Sequence, residues 1–396
     1  MVGGGPAGSA TALHLARAGR QVVLLDRAAF PRDKACSEYL SPESVRHLDA
    51  LGVLAGLDAH GASSPLLGTN VTAANGAALE GRFAEAGGTP FRPTGLSLPR
   101  RVLDATLLEA ARQAGVRVVE RTTVLDLVRE QGGVVGVTCR DAEGVSTRYA
   151  ARVVVGADGL GSSVARRTGL RRQGWLRRTA FVAHVADVAG LGGAADMHVG
   201  RHGYVGLNPM GGNITNVALV VPTREVQAAR GDATAFFFDR LEQFPGVRGR
   251  IDRSKLVREV LVTGPFDAMS RSSTTDGALL VGDAADFFDP FTGEGICSAL
   301  RGAELAAETL HDALRHDGPI TAHRLRSYRA GRRRAFLGKW IVERLVGYGM
   351  LAPALFDRAI ARLERRGMAD TLIGVTGQFV SPWKVVNPVY LARMVL

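Results

Sequence analysis

A glycine-rich turn at the start of the chain restricts the fold more than any other feature. Gly3, Gly5 and Gly8 form the pattern G-x-G-x-x-G, residues 7–17 follow as a helix rich in small residues, and residues 21–25 form a short apolar strand that ends at Asp26. Glycines let the backbone approach a pyrophosphate, and the helix N-terminus attracts its negative charge. An acid about 20 residues further on accepts hydrogen bonds from a ribose. The segment therefore predicts a strand–turn–helix unit that binds a dinucleotide.

The strand before this turn is unusually short in the sequence. Only Met1 and Val2 precede the first glycine, whereas a strand usually has about five residues. We therefore expect a few apolar residues encoded upstream to complete the strand.

Length and composition set the remaining bounds. A chain of 396 residues predicts two domains. No apolar run is long enough to span a bilayer and no signal peptide precedes the turn, so we expect a cytoplasmic protein. Cys36, Cys139 and Cys297 are too widely spaced to indicate a disulfide framework or a zinc site. The histidines of the central region, His184, His198 and His202, match no metal-binding spacing.

The net charge of +11 comes almost entirely from arginine, since the chain has only four lysines, Lys34, Lys255, Lys339 and Lys384. No nucleic-acid-binding motif accompanies this charge, so we do not expect nucleic acid as a partner. A basic surface can still attract the phosphates of NADPH or an anionic membrane.

Hydrophobic periodicity indicates alternating helices and strands, then a β-rich middle, then a helical end. Helices are predicted at 42–51, 98–114 and 295–314, and strands at 116–119, 135–139, 151–155 and 278–281. The β-rich segments 180–188, 203–207 and 216–221 predict a mixed sheet lying over the first domain.

Two further motifs follow predicted strands. In residues 153–165, a strand leads into Asp158-Gly159, a pair suited to a turn that approaches a ligand. In residues 280–296, a strand ends at Gly282-Asp283, and a loop with Pro290, Gly293 and Gly295 leads into a helix. A carboxylate at a strand end can bind ribityl hydroxyls, and a helix N-terminus can stabilise an anionic reduced flavin.

As a set, these motifs resemble those of the single-component FAD-dependent monooxygenases, the para-hydroxybenzoate hydroxylase-like superfamily, which also contains geranylgeranyl reductases and flavin-dependent halogenases. The resemblance covers residues 1 to about 315, and the loop Pro290–Ile296 is most similar to the geranylgeranyl reductases. It implies an α/β fold: a Rossmann-like FAD-binding domain of the glutathione reductase type, an inserted mixed β-sheet substrate domain and a helical C-terminal region. The expected boundaries are 1–64, 98–172 and 272–314 for the FAD-binding domain, 65–97 and 173–271 for the substrate domain, and 315–396 for the C-terminal region.

The resemblance also implies roles for single residues. Asp26 would bind the adenosine ribose, Arg100 phosphate or ribityl oxygens, and Asp283 the ribityl chain, while Asp158-Gly159 would serve FAD and the passing nicotinamide cofactor. Lys34 and Cys36 lie in a loop similar to the F-P-R-x-K-x-C-G segment of the reductases, with Ser37 in place of its glycine. The complete set of expected cofactor-binding residues is Gly3, Gly5, Pro6, Ala7, Gly8, Asp26, Arg27, Lys34, Arg100, Val124, Asp158, Gly159, Gly282, Asp283, Pro290, Gly293, Gly295 and Ile296.

One segment of the substrate domain favours hydroxylation. Where the reductases resemble G-Y-x-W-x-F-P, this chain has Gly203–Pro209, with Gly206 at the tryptophan position and Asn208 at the large apolar one. Loss of the indole would open space over the flavin for a planar substrate. Tyr204 and Asn208 are therefore candidate substrate contacts, and no catalytic acid or base is predicted.

The resulting hypothesis is an NAD(P)H-consuming FAD monooxygenase that hydroxylates a lipophilic aromatic compound with O₂, which adds at the flavin C4a atom. With a single G-x-G-x-x-G turn, NADPH or NADH would bind only transiently. Two alternatives stay open: a geranylgeranyl reductase-like enzyme that saturates isoprenoid double bonds, and a non-catalytic FAD module that carries electrons.

A basic stretch at 324–345 allows two interpretations. Arg332, Arg333 and Arg334 lie beside Phe336 and Trp340. This pattern fits a packed helix with one solvated arginine face, or an amphipathic helix that rests on a membrane or covers an apolar substrate pocket.

Overall fold

The computed structural model describes residues 1–229 and 231–395. Its helices are α1 Pro6–Arg17, α2 Pro42–Ala50, α3 Leu54–His60, α4 Arg100–Gln113, α5 Ser163–Arg167, α6 Ala233–Leu241, α7 Gly295–Ala313, α8 Arg326–Gly349, α9 Pro353–Arg365, α10 Ala369–Thr376 and α11 Pro388–Val395. Within the part of the chain that the structure describes, none of these helices is long and apolar enough to cross a membrane.

Most strands are short, as expected where they alternate with helices. They are β1 Val23–Leu25, β2 Tyr39–Leu40, β3 Ser64–Leu66, β4 Gly68–Thr72, β5 Ala78–Arg82, β6 Gly95–Ser97, β7 Arg117–Val119, β8 Thr123–Glu130, β9 Gly133–Arg140, β10 Ser146–Ala150, β11 Val154–Gly156, β12 Arg171–Gln173, β13 Arg178–Ala186, β14 Ala195–Gly200, β15 Gly203–Pro209, β16 Ile214–Pro222, β17 Leu256–Thr263, β18 Ala268–Ser270, β19 Thr274–Thr275, β20 Ala278–Leu280 and β21 Asp286–Phe287.

A parallel sheet forms the centre of the first domain. Strand β1 pairs with β7 and β11 pairs with β20, both in parallel. Val2 lies between the two pairs and forms parallel bridges with Leu25 and Gly156. Helices α1 and α7 pack against each other through fully buried side chains such as Leu13 and Leu300. This arrangement brings the ends of Val2, β1, β11 and β20 to one edge, where ligands bind in open α/β sheets.

The β-rich middle forms a seven-stranded mixed sheet in the order β17-β13-β16-β15-β14-β4-β5. Strand β14 pairs in parallel with β4, whereas the other pairings are antiparallel. The phenylalanines of α6 bury one face, and the other face points toward the first domain. The segments predicted for the substrate domain supply all of these strands; the domain boundaries themselves stay a prediction.

The predicted fold class, an FAD-binding α/β fold with additional sheets and helices, is confirmed. One expectation about the C-terminal region is wrong. Arg332 does not belong to a solvated arginine face: it is 6% exposed, donates to Asp286 and lies over the rings of Phe336 and Trp340. Helix α8 places this guanidinium on its inner side. The charge can be buried there because the carboxylate and the aromatic faces compensate for the loss of water. Arg333 and Arg334 are exposed as expected.

Candidate functional site

A large cavity of about 1060 Å³ lies between the edge of the parallel sheet and the inner face of the seven-stranded sheet. Its lining includes every predicted cofactor-binding residue except Gly8 and Gly282, and it also includes Tyr204 and Asn208. The fold thus brings together three motifs that are more than a hundred residues apart in the chain. Which of these residues bind a cofactor remains a prediction.

The three glycines of the first motif have different tasks. Gly3 has a φ of +103°, and a Cβ there would lie 2.7 Å from the carbonyl carbon of Ala157; a Cβ at Gly8 would collide with the Gly3 carbonyl. A Cβ at Gly5 would meet only the Arg32 and Arg100 guanidiniums, 3.7 and 4.0 Å away. Gly3 and Gly8 therefore shape the turn, and Gly5 leaves the space that a ligand can enter.

Two guanidiniums face this space and share one carboxylate. Arg100 donates through Nε and Nη2 to Asp104, at 2.8 and 2.7 Å, and Arg32 Nη1 lies 3.1 Å from the same carboxylate. Asp104 is fully buried. Two cations held by one anion beside the N-terminus of α1 form a site with excess positive charge, which suits a pyrophosphate.

Asp26 holds the backbone around the turn. Its Oδ2 accepts from Gly4 N–H at 2.6 Å, and its Oδ1 accepts from Ala28 N–H at 2.8 Å. The carboxylate is 8% exposed and lies in the cavity lining beside Arg27 and Val124. Each oxygen of a carboxylate can accept a further hydrogen bond, so the predicted ribose contact is compatible with this geometry.

Lys34 and Asp283 both line the cavity, and their charges interact. Burial and the charge of Arg100 lower the pKa of Lys34, and the charge of Asp283 partly offsets them. Burial raises the pKa of Asp283, although the charge of Lys34 opposes the shift. A Cβ at Gly159 would lie 3.4 Å from Lys34 Nζ. The lysine therefore approaches the second motif as well as the third.

The carboxylate of Asp158 is engaged by the following helix. It accepts from Ser162 Oγ at 2.6 Å and from the Ser163 N–H and Oγ at 2.7 and 2.8 Å. Asp158 thus caps the start of α5, and its predicted contacts with FAD and a nicotinamide cofactor would have to share these oxygens.

The third motif is held by a network that the sequence did not reveal. Asp289 accepts from Arg178 Nη1 at 2.9 Å, from the Tyr204 hydroxyl at 2.7 Å and from Phe291 N–H at 3.0 Å. Arg178 and Tyr204 lie on β13 and β15, so the sheet fixes the loop that leads into α7. The alternation of the strands places both side chains on the inner face, but no sequence pattern identifies Asp289 as their partner.

Glu294, in the same loop, is buried in the protein. It is 2% exposed, and its Oε2 accepts from Ser41 Oγ at 3.0 Å and from Gln378 Nε2 at 3.1 Å. Burial raises the pKa of Glu294 to about 8, although the two hydrogen bonds oppose the shift. The carboxyl is therefore protonated at neutral pH, and it joins the start of α7 to the C-terminal region.

The polar atoms of the two candidate substrate contacts are bonded within the protein. Besides the Tyr204–Asp289 bond, the Asn208 side chain donates to the Ser37 carbonyl and accepts from Ser97 Oγ, both at 2.8 Å. Asn208 therefore holds the loop that contains Cys36. The contact of Tyr204 and Asn208 with a substrate stays a prediction. Each side chain would touch the substrate through atoms that these hydrogen bonds do not use.

A second buried pair supports the same loop. Glu38 has a left-handed φ of 56° and lies 2.6 Å from His184 Nε2. Burial would raise the pKa of Glu38, but the hydrogen bond and charge of His184 outweigh it and lower the pKa. Asn216 donates to the Cys36 carbonyl and to Glu38, at 2.8 and 3.1 Å. The polar residues at 184, 208 and 216 could have been noticed in the sequence, because each lies on a strand of the apolar middle region. The sequence does not show that all three contact the loop around Cys36.

The remaining histidines of this region have other partners. His198 lies 3.2 Å from Arg250, and His202 lies 3.6 Å from Glu225. Across residues 1–229 and 231–395, no three metal-ligating side chains cluster together.

The other half of the cavity is apolar. The sheet contributes small residues, namely Ala180, Ala195, Gly206 and Ala218, together with the larger Val71 and Met197, and Phe266, Phe287 and Phe291 complete the apolar lining. A Cβ at Gly206 would lie 3.1 Å from Met197 Sδ. The space beside Gly206 is therefore bounded by the flexible thioether of Met197, which can move, and not by backbone atoms.

The sheet edge, glycine turn and paired arginines are the features that a dinucleotide site of the flavoprotein type would require. The chain belongs to the family described as "FAD binding domain", which matches residues 1–339. It is 30% identical to the menaquinone reductase of Mycolicibacterium smegmatis, with 78% of this chain and 75% of the relative covered. It is 28% identical to the digeranylgeranylglycerophospholipid reductase of Methanoculleus marisnigri, with the same coverage.

Solved structures show the same fold. The myxobacterial chondrochloren halogenase, an FAD-dependent enzyme, superposes with a TM-score of 0.80 over 100% of this chain and 94% of its own, at 22% identity. The protein is thus an FAD-dependent oxidoreductase, and the predicted superfamily is confirmed.

Proposed function

We propose that this flavoenzyme is an NAD(P)H-dependent monooxygenase that hydroxylates a lipophilic aromatic compound, such as a phenolic or polyketide-type metabolite. One oxygen atom of O₂ enters the product, and the other leaves as water with the two electrons of NADPH or NADH. The observation that carries the proposal is Gly206, which lines the apolar half of the cavity beside Met197.

The residues present fit FAD. Gly5, Arg32 and Arg100 would hold the pyrophosphate, Asp26 the ribose and Asp283 the ribityl chain, and the loop from Pro290 to Ile296 would lie along the ring. FAD supplies the redox chemistry when bound. The chain orients the substrate and excludes water: Val71, Phe266 and Phe287 leave few polar groups around the reacting carbon. Hydroxylation of an electron-rich ring needs no additional side-chain acid.

Double-bond reduction is the second candidate. Two relatives carry reductase names, for menaquinone and for an isoprenoid glycerophospholipid. Cys36, in the loop similar to the reductases, lies in the cavity lining. Both substrates in those names are lipophilic, so the apolar cavity alone does not separate the two candidates.

The two reactions differ in their use of oxygen. The FAD-loaded protein is incubated with NADPH or NADH and either phenolic or prenylated substrates, and O₂ uptake and product mass are recorded. We expect O₂ uptake that the aromatic substrate stimulates and a product heavier by one oxygen atom. A product that gains two hydrogens under anaerobic conditions would contradict the proposal and favour the reductase.

A variant at the position that carries the proposal sharpens this test. Gly206→Trp fills the space beside Met197 and should abolish hydroxylation while FAD content stays that of the natural protein. Unchanged hydroxylation in this variant would show that the space at Gly206 is not used by the substrate.

A further inference from the structure

An exposed apolar surface lies at the junction of α8 and α9. Four of its residues belong to the turn between these helices or their ends: Leu345, Tyr348, Leu351 and Leu355 are 45, 37, 50 and 44% exposed. Trp175, in the loop before β13, is 65% exposed. We call these five residues the apolar tip. Single exposed apolar side chains are ordinary, but a contiguous group of them marks an interaction surface.

Contacts within the structure hold the centre of the tip together. The rings of Trp175 and Tyr348 stack at 5.2 Å with an interplanar angle of 11°. Leu351 N–H donates to the Tyr348 carbonyl at 3.0 Å. Beneath the tip, Phe288 is buried and meets Tyr348 edge-on at 5.5 Å. The tip is therefore a preformed surface supported by the core.

Charges around the tip are predominantly positive. Residues 343–366 contain five arginines and three acids, and one of these acids, Glu343, is buried and lies 2.6 Å from Lys339 Nζ. Arg177, close to Trp175, and Arg358, on α9, are both exposed. An apolar surface with Trp and Tyr, bordered by arginines, matches the interface of an anionic bilayer, where aromatic rings lie at headgroup level and basic residues are attracted to the lipid charge.

We propose that the protein docks on anionic lipid membranes through the apolar tip. A second copy of the chain is a poorer occupant, because a two-fold contact would bring the same arginines against one another. The position also suits a lipophilic substrate: Val346, next to Leu345, and Phe287, next to Phe288, line the cavity. The proposal does not depend on which reaction the flavin site performs.

The test measures binding of the FAD-loaded protein to vesicles by co-sedimentation. Vesicles of phosphatidylcholine with phosphatidylglycerol are compared with vesicles of phosphatidylcholine alone. Two variants are used: Leu351→Ser with Leu355→Ser in the tip, and Val145→Ser with Val257→Ser as a control, since those valines are 57 and 56% exposed elsewhere. Flavin absorbance and thermal unfolding establish that both variants are folded.

We expect the natural protein and the control to bind the anionic vesicles, and the tip variant to bind them at least about tenfold more weakly, because two leucines no longer enter the bilayer. Equal binding of the tip variant would attribute adsorption to the overall charge and overturn the proposal. So would failure of the natural protein to bind, or a concentration-dependent dimer that the tip variant abolishes. Turnover with detergent-dispersed substrate is measured in parallel, so that a failure here is distinguished from a failure of the proposed reaction.

Discussion

Glu294 shows how a single buried residue can set the pH dependence of this protein. Its pKa of about 8 lies above the ordinary value of 4.5. Between these two pH values the folded protein keeps a proton on Glu294 that the unfolded chain has released. The associated stability is fully present below pH 4.5 and is lost as the pH rises through 8. A neutral side chain of the same shape would remove this dependence.

We expect Glu294→Gln to gain roughly 2–3 kcal/mol of unfolding free energy relative to the natural protein between about pH 6 and 8. Denaturant unfolding at both pH values measures the difference. Glu109→Gln is the control, because this glutamate is half-exposed and its partner Arg112 stays charged throughout this pH range. That variant should keep the pH dependence of the natural protein. A parallel pH dependence of Glu294→Gln and the natural protein would show that Glu294 is ionised when folded.

At the scale of elements, different glycines of the strand–turn–helix unit are needed for folding and for binding. Gly3 and Gly8 are required because backbone atoms occupy the positions of their absent side chains, whereas Gly5 faces open space between two arginines. One glycine motif is therefore under a steric constraint from the fold at two positions and under a constraint from the ligand at the third. Substitutions at the single positions distinguish the two.

Gly5→Ala should change the stability of the FAD-free protein by less than about 1 kcal/mol, because alanine is the poorer N-cap of α1 but lowers the entropy of the unfolded chain. It should weaken FAD binding at least about tenfold, because the methyl group enters the space expected for the pyrophosphate. Gly3→Ala should instead destabilise the FAD-free protein by roughly 2–4 kcal/mol. Chemical denaturation and quenching of flavin fluorescence report the two quantities. Normal FAD affinity in Gly5→Ala would remove this glycine from the cofactor site.

The predicted elements agree with the structure where a local pattern is complete. Helix α1 and helix α7 begin and end within one residue of their predictions, because small residues, a preceding glycine and a following turn mark their ends. The strand predicted at 151–155 is observed at Val154–Gly156. Its boundary moves because Val154 and Gly156 pair with β20, a strand more than a hundred residues away.

At the scale of the whole molecule, the cavity is completed by residues beyond the part that matches the family. Val346, Leu372, Ile373 and Thr376 of α8 and α10 line it, although the family match ends at residue 339. Ile373 packs against Gly81 of the sheet, so α10 closes one side of the apolar half.

We expect Ile373→Ala to raise the KM for the lipophilic substrate severalfold, because it removes a wall of the cavity, and to cost roughly 2–5 kcal/mol of stability. Val375→Ala is the matched control: Val375 lies on the same helix, is 5% exposed and belongs to a different cluster. It should lower stability without changing KM. Equal KM changes in both variants would indicate a general loosening of α10 instead of a direct contact. Steady-state kinetics and thermal unfolding measure the two effects.

The sequence by itself determined the glycine turn, the acid at the strand end and the class of cofactor, because steric freedom, helix caps and strand ends are properties of neighbouring residues. Only the tertiary structure decided which polar groups meet. Tyr204 and Asp289 are 85 residues apart, and His184 and Glu38 are 146 apart. Burial selects these pairs, since a charge removed from water needs a partner in space, and local sequence carries no record of which distant residue supplies it.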